Sequence, residues 1–345
     1  MLKNLKTNKP KNMKKIIPIL LLLVISSCKK NVRDELNSST KKVKTTEIKN
    51  GGVQMVEINT NGKKFKVWTK RIGNNPKIKL LLLNGGPGMS HEYFECMESF
   101  LPAEGIEFIY YDQLGTGFSD NPNDISFWDL NRYVEEVEQV RVALKLDNSN
   151  FYLLGHSWGG ILAMQYALKY QQNMKGLIVS NMMASCPQYG EYSKVLEKQM
   201  PPKVLSEIKE IEAKKEFSNP QYMNLLMNNF YNQHILRLPV ADWPEPVNRA
   251  FSRLNQSLYV TMQGPSELGI SGKLTYWDVS KELKNISIPT LTIGGTYDTM
   301  DPAYMKWMAT QFPKGESLIC PNGSHMSLYD DQENYFKGLI AFLKK

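Results

Sequence analysis

The stretch that most narrows the possible folds is Gly155-His156-Ser157-Trp158-Gly159. It follows the apolar run Phe151-Tyr152-Leu153-Leu154 and leads into Gly160-Ile161-Leu162-Ala163-Met164-Gln165-Tyr166-Ala167-Leu168. A short buried strand, a glycine-bounded turn and an amphipathic helix in direct succession form a strand–turn–helix elbow. Such a turn drives its central residue into a strained conformation, and glycines let strand and helix close around it. The Ser157 hydroxyl then stands clear near the helix N-terminus. The plainer alternative is a strand–helix junction whose serine merely caps the helix.

The flanking pattern agrees with a sheet built around that strand. Val53–Ile58 and Lys63–Lys70 read as a hairpin around Asn61-Gly62, with Phe65, Val67 and Trp68 on the second strand. Buried strands are expected at Ile78–Leu83 and Glu107–Asp112, each ending in a glycine-rich loop. Asp129–Leu146 has helical spacing through Val134, Val137, Val140, Ala143 and Leu144. Leu177–Ser180 is the next strand. This alternation predicts an α/β fold with a mostly parallel sheet covered on both faces. Past Pro187 the alternation stops, and 187–285 read as an inserted helical cap domain broken by prolines. Strands resume at Pro289–Gly295 and Glu316–Cys320, and a helix near Gln332–Leu343 ends the chain. The core is thus expected in two parts, 51–186 and 286–345, around the cap. A chain of 345 residues, 42% hydrophobic, suffices for one sizeable core and a smaller second unit.

The net charge of +8 is uneven: residues 1–50 carry 13 Lys/Arg against 3 Asp/Glu, and the remainder 29 against 31. The body is near neutral and has no basic stripe interleaved with aromatics, so no nucleic-acid partner is expected. Lys3–Lys15 form a basic start, and Ile16–Ile25 is a ten-residue apolar run, too short to span a bilayer. With Ile25-Ser26-Ser27-Cys28 behind it, residues 1–28 resemble a bacterial lipoprotein signal peptide whose cleavage leaves Cys28 lipidated. That implies anchoring to a bacterial membrane in the cell envelope, facing the periplasm or the cell surface. Residues 29–50, rich in Lys, Asn, Ser and Thr, read as a flexible tether. Cys96, Cys186 and Cys320 are too scattered for a disulfide framework and admit one pair at most. No clustered His/Cys pattern supports a metal site.

A serine needs a base, and the base needs an orienting partner. The histidines are His91, His156, His234 and His325. His156 is badly placed for the task beside Ser157 and is expected to pack under the turn. His325, in the loop leaving the last strand, is the expected base. Asp298, in Gly294-Gly295-Thr296-Tyr297-Asp298, is its expected partner, with Asp301 the nearest rival. The order Ser157, Asp298, His325 is that of an α/β-hydrolase, and all three fall beyond strand carboxyl ends. An oxyanion requires backbone N–H groups. Trp158 is one expected donor; Gly86, and next Gly85, of Asn84-Gly85-Gly86-Pro87-Gly88 is the other.

Together, Asn84–Gly88, Asp112-Gln113-Leu114-Gly115-Thr116-Gly117-Phe118-Ser119, the elbow and the Asp298/His325 pair resemble the proline iminopeptidases over roughly residues 52–345. These are serine aminopeptidases on an α/β-hydrolase core with a helical cap. The cap segments Asp242–Val247 and Met262–Glu267 share the likeness. In those relatives acidic cap residues bind the free amino terminus, which implies such a role for Glu267 and, as a second candidate, Glu245. Phe118, Trp243 and Tyr259 are candidates for a proline-ring pocket. Two positions depart from the pattern: Asn84 where the relatives usually have His, and Thr299 where they tend to have a Glu that helps bind the amine.

The resemblance implies release of N-terminal residues, preferably proline, from short peptides with a free amino terminus, through an acyl-enzyme and without metal or organic cofactor. The loss of a carboxylate at Thr299 leaves an esterase, lactonase or amino-acid amidase as the alternative. A surface-binding lipoprotein that keeps the fold without catalysis is the third reading.

Overall fold

Alternating side chains decide the layering. On the strand Lys79–Leu83, Leu80 and Leu82 enter one apolar cluster and Leu81 and Leu83 the other, so the sheet is buried on both faces. The computed structural model describes residues 50–345, which fall in one compact unit. The expected signal peptide 1–28, with Cys28, lies outside the described residues. So does the tether 29–50, except for Asn50, which opens the first strand.

The strands are β1 (Asn50–Thr60), β2 (Lys63–Ile72), β3 (Lys79–Leu83), β4 (Glu107–Tyr111), β5 (Phe151–His156), β6 (Gly176–Ser180), β7 (Thr290–Gly295) and β8 (Gly315–Cys320). They form one sheet in the order β1-β2-β4-β3-β5-β6-β7-β8. The β1–β2 hairpin turns at Asn61-Gly62, both with positive φ, and β2 adds antiparallel to β4. From β4 to β8 the neighbours are parallel.

Helices α1 (Leu130–Ala143) and α2 (Trp158–Tyr170) cover one face with Val134, Val137, Val140, Ile161 and Leu162. Between β6 and β7 the chain is helical as far as Met262 with short connections, α3 (Cys186–Glu197), α4 (Pro202–Ala213), α5 (Pro220–Leu226), α6 (Glu245–Ser252) and α7 (Gln256–Met262), and then mostly turns up to β7. Several prolines expected to break this segment instead start its helices. Pro202 and Pro220 occupy first turns, where a missing N–H costs nothing. Ser185, Asn219 and Asn255 accept capping hydrogen bonds from Gln188, Gln221 and Leu258. Asn255 also fastens this insertion to the core, donating from its N–H to Gly88 O (3.0 Å) and from Nδ2 to Gly115 O (2.9 Å). Helix α8 (Pro302–Gln311) follows β7, and α9 (Gln332–Leu343) packs Tyr335, Phe336 and Leu339 on the second face. Cys96, Cys186 and Cys320 are free thiols.

The parallel arrangement gathers the loops that follow β3, β4, β5, β6, β7 and β8 at one end of the sheet. Asn84–Gly88, Gln113, Ser157, Asn181, Asp298 and His325 all sit on those loops. Around the elbow, main chain packs against main chain. A Cβ on Gly155 would lie 1.9 Å from Gly159 O, and one on Gly159 would lie 2.1 Å from Leu83 O. We expect Gly155→Ala to cost more than about 4 kcal/mol, because rigid backbone leaves the methyl no escape. Soluble yield and the thermal midpoint should both fall sharply; a variant melting with the parent would refute this account of the elbow.

Candidate active site

The turn after β5 holds Ser157 at φ 55° and ψ −126°, a conformation that non-glycine residues rarely adopt. Its N–H donates to Ser180 O at 3.0 Å, which ties the turn to the neighbouring strand end. The Ser157 side chain makes no capping hydrogen bond to α2, so the helix-cap alternative is set aside. Its hydroxyl instead lines a cavity of about 80 Å³, whose wall also includes His325, Gly86 and Glu267.

His325 is placed by main chain. Its N–H donates to His234 O (2.9 Å), and Nδ1 lies 2.8 Å from Asp298 Oδ1. Asp298 is fully buried and accepts further from Met300 N (3.1 Å) and from Asn181 Nδ2 (2.7 Å). With Nδ1–H given to the carboxylate, Nε2 is the free basic nitrogen. Burial works against a charged imidazole here, but the charge and hydrogen bond of Asp298 outweigh it, with Glu267 and Asp330 adding to the effect. The His325 pKa is therefore raised above its ordinary value. Among the hydrogen bonds of the described residues none joins Ser157 Oγ to His325; the two meet as walls of one cavity. In unliganded hydrolases this contact commonly tightens only with substrate present. Asp301, the rival acid, caps α8 by accepting from Ala303 N (2.8 Å).

Thr299 does not face the cavity wall. Its hydroxyl lies 3.3 Å from Asp298 Oδ1 and 3.2 Å from His325 Nδ1, so the residue braces the Asp–His pair. Glu267 is consequently the one carboxylate lining the cavity among the described residues.

The other side of the cavity is the loop after β3. Gly85 N–H donates to Tyr93 Oη at 2.7 Å, and Tyr93 Oη lies 3.2 Å from His156 Nδ1. The Gly85 amide is thus already engaged, which removes it as an oxyanion donor. Gly86 N–H and Trp158 N–H have no protein acceptor among the described residues, and Gly86 adopts φ 106°. Asn84 holds this loop as expected of a local hydrogen-bonding residue: Nδ2 donates to Met89 O, and Oδ1 accepts from Gln113 Nε2 at 3.0 Å. Gln113 Oε1 in turn accepts from Trp158 Nε1 at 2.9 Å. One buried glutamine therefore ties Asn84, at the start of the loop after β3, to the Trp158 indole. His156 does lie beneath the turn, its Nε2 2.8 Å from His325 O. Burial, reinforced by His325, pushes its pKa down to about 3, so it stays neutral.

From the insertion, Glu267 accepts from Tyr259 Oη on Oε1 (2.7 Å), and Tyr189 Oη lies 3.2 Å from Oε2. Its own N–H donates to Tyr231 Oη (3.3 Å). Three of the substrate-contact candidates lie off the wall of this cavity. Glu245 is exposed and paired with Arg249 at 2.9 Å, because its place in the first turn of α6 points it to solvent. Phe118 is half exposed and lies under the Arg253 guanidinium, away from the cavity. Trp243 is buried against Phe251 and donates to Leu238 O, serving the insertion's own packing. Tyr259 does line the cavity, joined by Tyr93, Phe217, Tyr222, Tyr231 and Phe251, none of which sequence spacing singled out. Tyr231 belongs to a π-helical turn, Met227–Tyr231, a local irregularity often found at functional sites.

A family profile described as the alpha/beta hydrolase fold matches residues 79–332. The proline iminopeptidase of Flavobacterium johnsoniae is 57% identical over 290 residues, covering 84% of this chain and 97% of that one. The crystal structure of VinJ superposes with TM-score 0.78 at 28% identity, covering 84% of this chain and 98% of that chain. The crystal structure of proline iminopeptidase from Mycobacterium smegmatis gives TM-score 0.74 at 26% identity, covering 85% and 98%. The chain belongs to the proline iminopeptidase family of α/β-hydrolases.

Proposed function

We propose that this chain is a serine aminopeptidase that releases N-terminal residues, preferably proline, from short peptides. One observation carries the reading: Ser157, His325 and Glu267 line the same small cavity. Its volume of about 80 Å³ is well below the roughly 300–1,000 Å³ of pockets that take drug-sized ligands. Such a space suits a single compact residue between apolar walls. Glu267, held by two tyrosine hydroxyls, anchors the cationic amine of that residue, while Met89, Phe217 and Ile235 supply apolar wall for its ring. An acetylated or internal peptide has no cation to offer this carboxylate.

The reaction is acyl transfer. Ser157 Oγ attacks the carbonyl carbon of the first residue as its proton passes to His325 Nε2. Trp158 N–H and Gly86 N–H hold the oxyanion. His325 returns the proton to the leaving amine as the C–N bond breaks, leaving an ester on Ser157. Water then attacks that ester, giving its proton to His325. Oγ leaves with a proton, and free amino acid is released.

We also propose that Cys28 carries a lipid anchor that holds the enzyme in the cell envelope. The basic start, the ten-residue apolar run and Ile25-Ser26-Ser27-Cys28 support this. Metabolic labelling of the full chain with an alkynyl fatty acid should mark the parent and not Cys28→Ser. An unlabelled parent in the soluble fraction would refute the anchor.

Proline p-nitroanilide should be cleaved, its N-acetyl form should not, and Ser157→Ala should lose both turnover and fluorophosphonate labelling. Faster cleavage of p-nitrophenyl acetate, with no activity on the anilide, would favour an esterase. Glu267→Gln should lower kcat/KM for the anilide by about ten- to a hundredfold, the worth of one charged hydrogen bond. Most of that loss should appear in KM, with the ester nearly unaffected; equal losses on both substrates would make Glu267 structural.

The base works only when neutral. Since the His325 pKa is raised above the ordinary 6.5, the acid limb of kcat/KM should lie above pH 6.5, with activity lost as pH falls through it. Asp298→Asn should move that limb down. An acid limb well below 6.5 in the parent would contradict the assignment of His325.

A further inference from the structure

We propose that Asn181 is a positioning residue for the Ser157–His325–Asp298 set, holding the Asp298 carboxylate and the main chain before His325 with a single side-chain amide. The inference rests on reading those three residues as the reacting set.

Asn181 directly follows β6, at the carboxyl end of the sheet, and is fully buried. Its backbone has φ 54°, a left-handed conformation that asparagine tolerates better than most residues. Its N–H donates to Ile293 O at 2.6 Å, which fixes the residue against β7. The amide orientation is determined by its neighbours. Ser180 Oγ donates to Asn181 Oδ1 at 2.7 Å, so Nδ2 faces the opposite way. There it donates to Asp298 Oδ2 at 2.7 Å and to Ser324 O at 3.1 Å, with Ser327 Oγ 3.3 Å away. Ser324 immediately precedes His325.

Two consecutive residues therefore brace the Ser157 backbone, the Asp298 carboxylate and the residue before His325. The Ser180 carbonyl receives the Ser157 N–H, and the Asn181 amide holds Asp298 and the peptide leading to His325. The chemistry explains why an amide is useful at this point. Asp298 Oδ1 is committed to His325 Nδ1, Met300 N–H and the Thr299 hydroxyl. Oδ2 lies in a fully buried environment, and leaving it without a donor would be costly. A carboxylate free to rotate about χ2 would no longer present Oδ1 squarely to the imidazole. A neutral donor satisfies Oδ2 without cancelling the charge that raises the basicity of His325. An arginine or lysine there would cancel it. The groups facing His325 are Asp298, Glu267, Asp330, His156 and His234, and of these Asn181 touches only Asp298.

The test is Asn181→Gly in the otherwise complete chain, since glycine keeps the positive φ and removes only the amide. We expect kcat for proline p-nitroanilide to fall about ten- to a hundredfold, the loss that one hydrogen bond to a charged group predicts. KM should stay within about threefold, because Asn181 does not line the cavity. The rate of fluorophosphonate labelling of Ser157 should fall in parallel. The acid limb of kcat/KM should move to higher pH, since a less satisfied carboxylate holds the imidazolium more strongly. Ser180→Ala leaves Asn181 in place but frees its amide to turn over, and should give the same pattern at smaller size. If the glycine variant does not fold, the Ser180→Ala result decides alone.

A folded Asn181→Gly with kcat and labelling rate within about twofold of the parent overturns the proposal. So does a loss confined to KM. If Ser157→Ala still turns over substrate, the reading of the reacting set has failed instead. If Ser157→Ala is dead and Asn181→Gly is unimpaired, only the role of Asn181 has failed.

Discussion

The geometry of this protein depends on how closely β3, β5 and the start of α2 approach one another. Ser157 occupies a left-handed backbone conformation that an isolated turn would abandon. It persists because Gly155 and Gly159 allow main chain to meet main chain, and because the Ser157 N–H is held by the Ser180 carbonyl. Strand β5 lies between β3 and β6, buried on both faces, so the elbow cannot relax without disturbing the centre of the sheet. The strain is over-determined by its surroundings, and the hydroxyl is held out into the cavity as a result.

Two hydrogen-bond chains spread outward from that turn. One runs from Gly85 through Tyr93 and His156 to the His325 carbonyl, joining the loop after β3 to the loop after β8 beneath the elbow. The other runs from Asn84 through Gln113 to the Trp158 indole. Asn84 and Gln113 are both buried, and their shared hydrogen bonds satisfy polar groups that would otherwise be expensive to bury. Low surrounding dielectric strengthens such chains, provided that every member finds a partner.

The acidic side of the site is arranged by subtraction as much as by addition. At position 299 a hydroxyl braces the Asp298–His325 pair, and the cavity keeps a single carboxylate, Glu267. Tyrosines from separate elements hold that residue: Tyr189 from α3 and Tyr259 from α7 donate to the carboxylate, and Tyr231 of the π-helical turn accepts from the Glu267 N–H. Glu245 shows why composition alone misleads in this region. It sits between two prolines, as a fixed ligand might, yet it opens a helix that turns it toward Arg249 and solvent.

The sequence by itself determined the sheet alternation, the elbow, the strand ends that carry Asp298 and His325, and the helical character of the insertion. These follow from period, glycine placement and chain order, all local properties. The hairpin at Asn61-Gly62 belongs to the same class, because its turn needs only two adjacent residues. Tertiary structure alone decided which side chains converge from distant segments. Nothing near Tyr93 announces that its hydroxyl takes the Gly85 amide out of use, and nothing near Thr299 announces which way its hydroxyl turns. Asn181 carried a faint sign, since it stands just past a strand where such sheets place their chemistry. Its partners, though, lie 117 and 143 residues away. Spacing along a chain fixes local geometry, whereas a hydrogen bond between remote loops exists only once the sheet has brought their ends together.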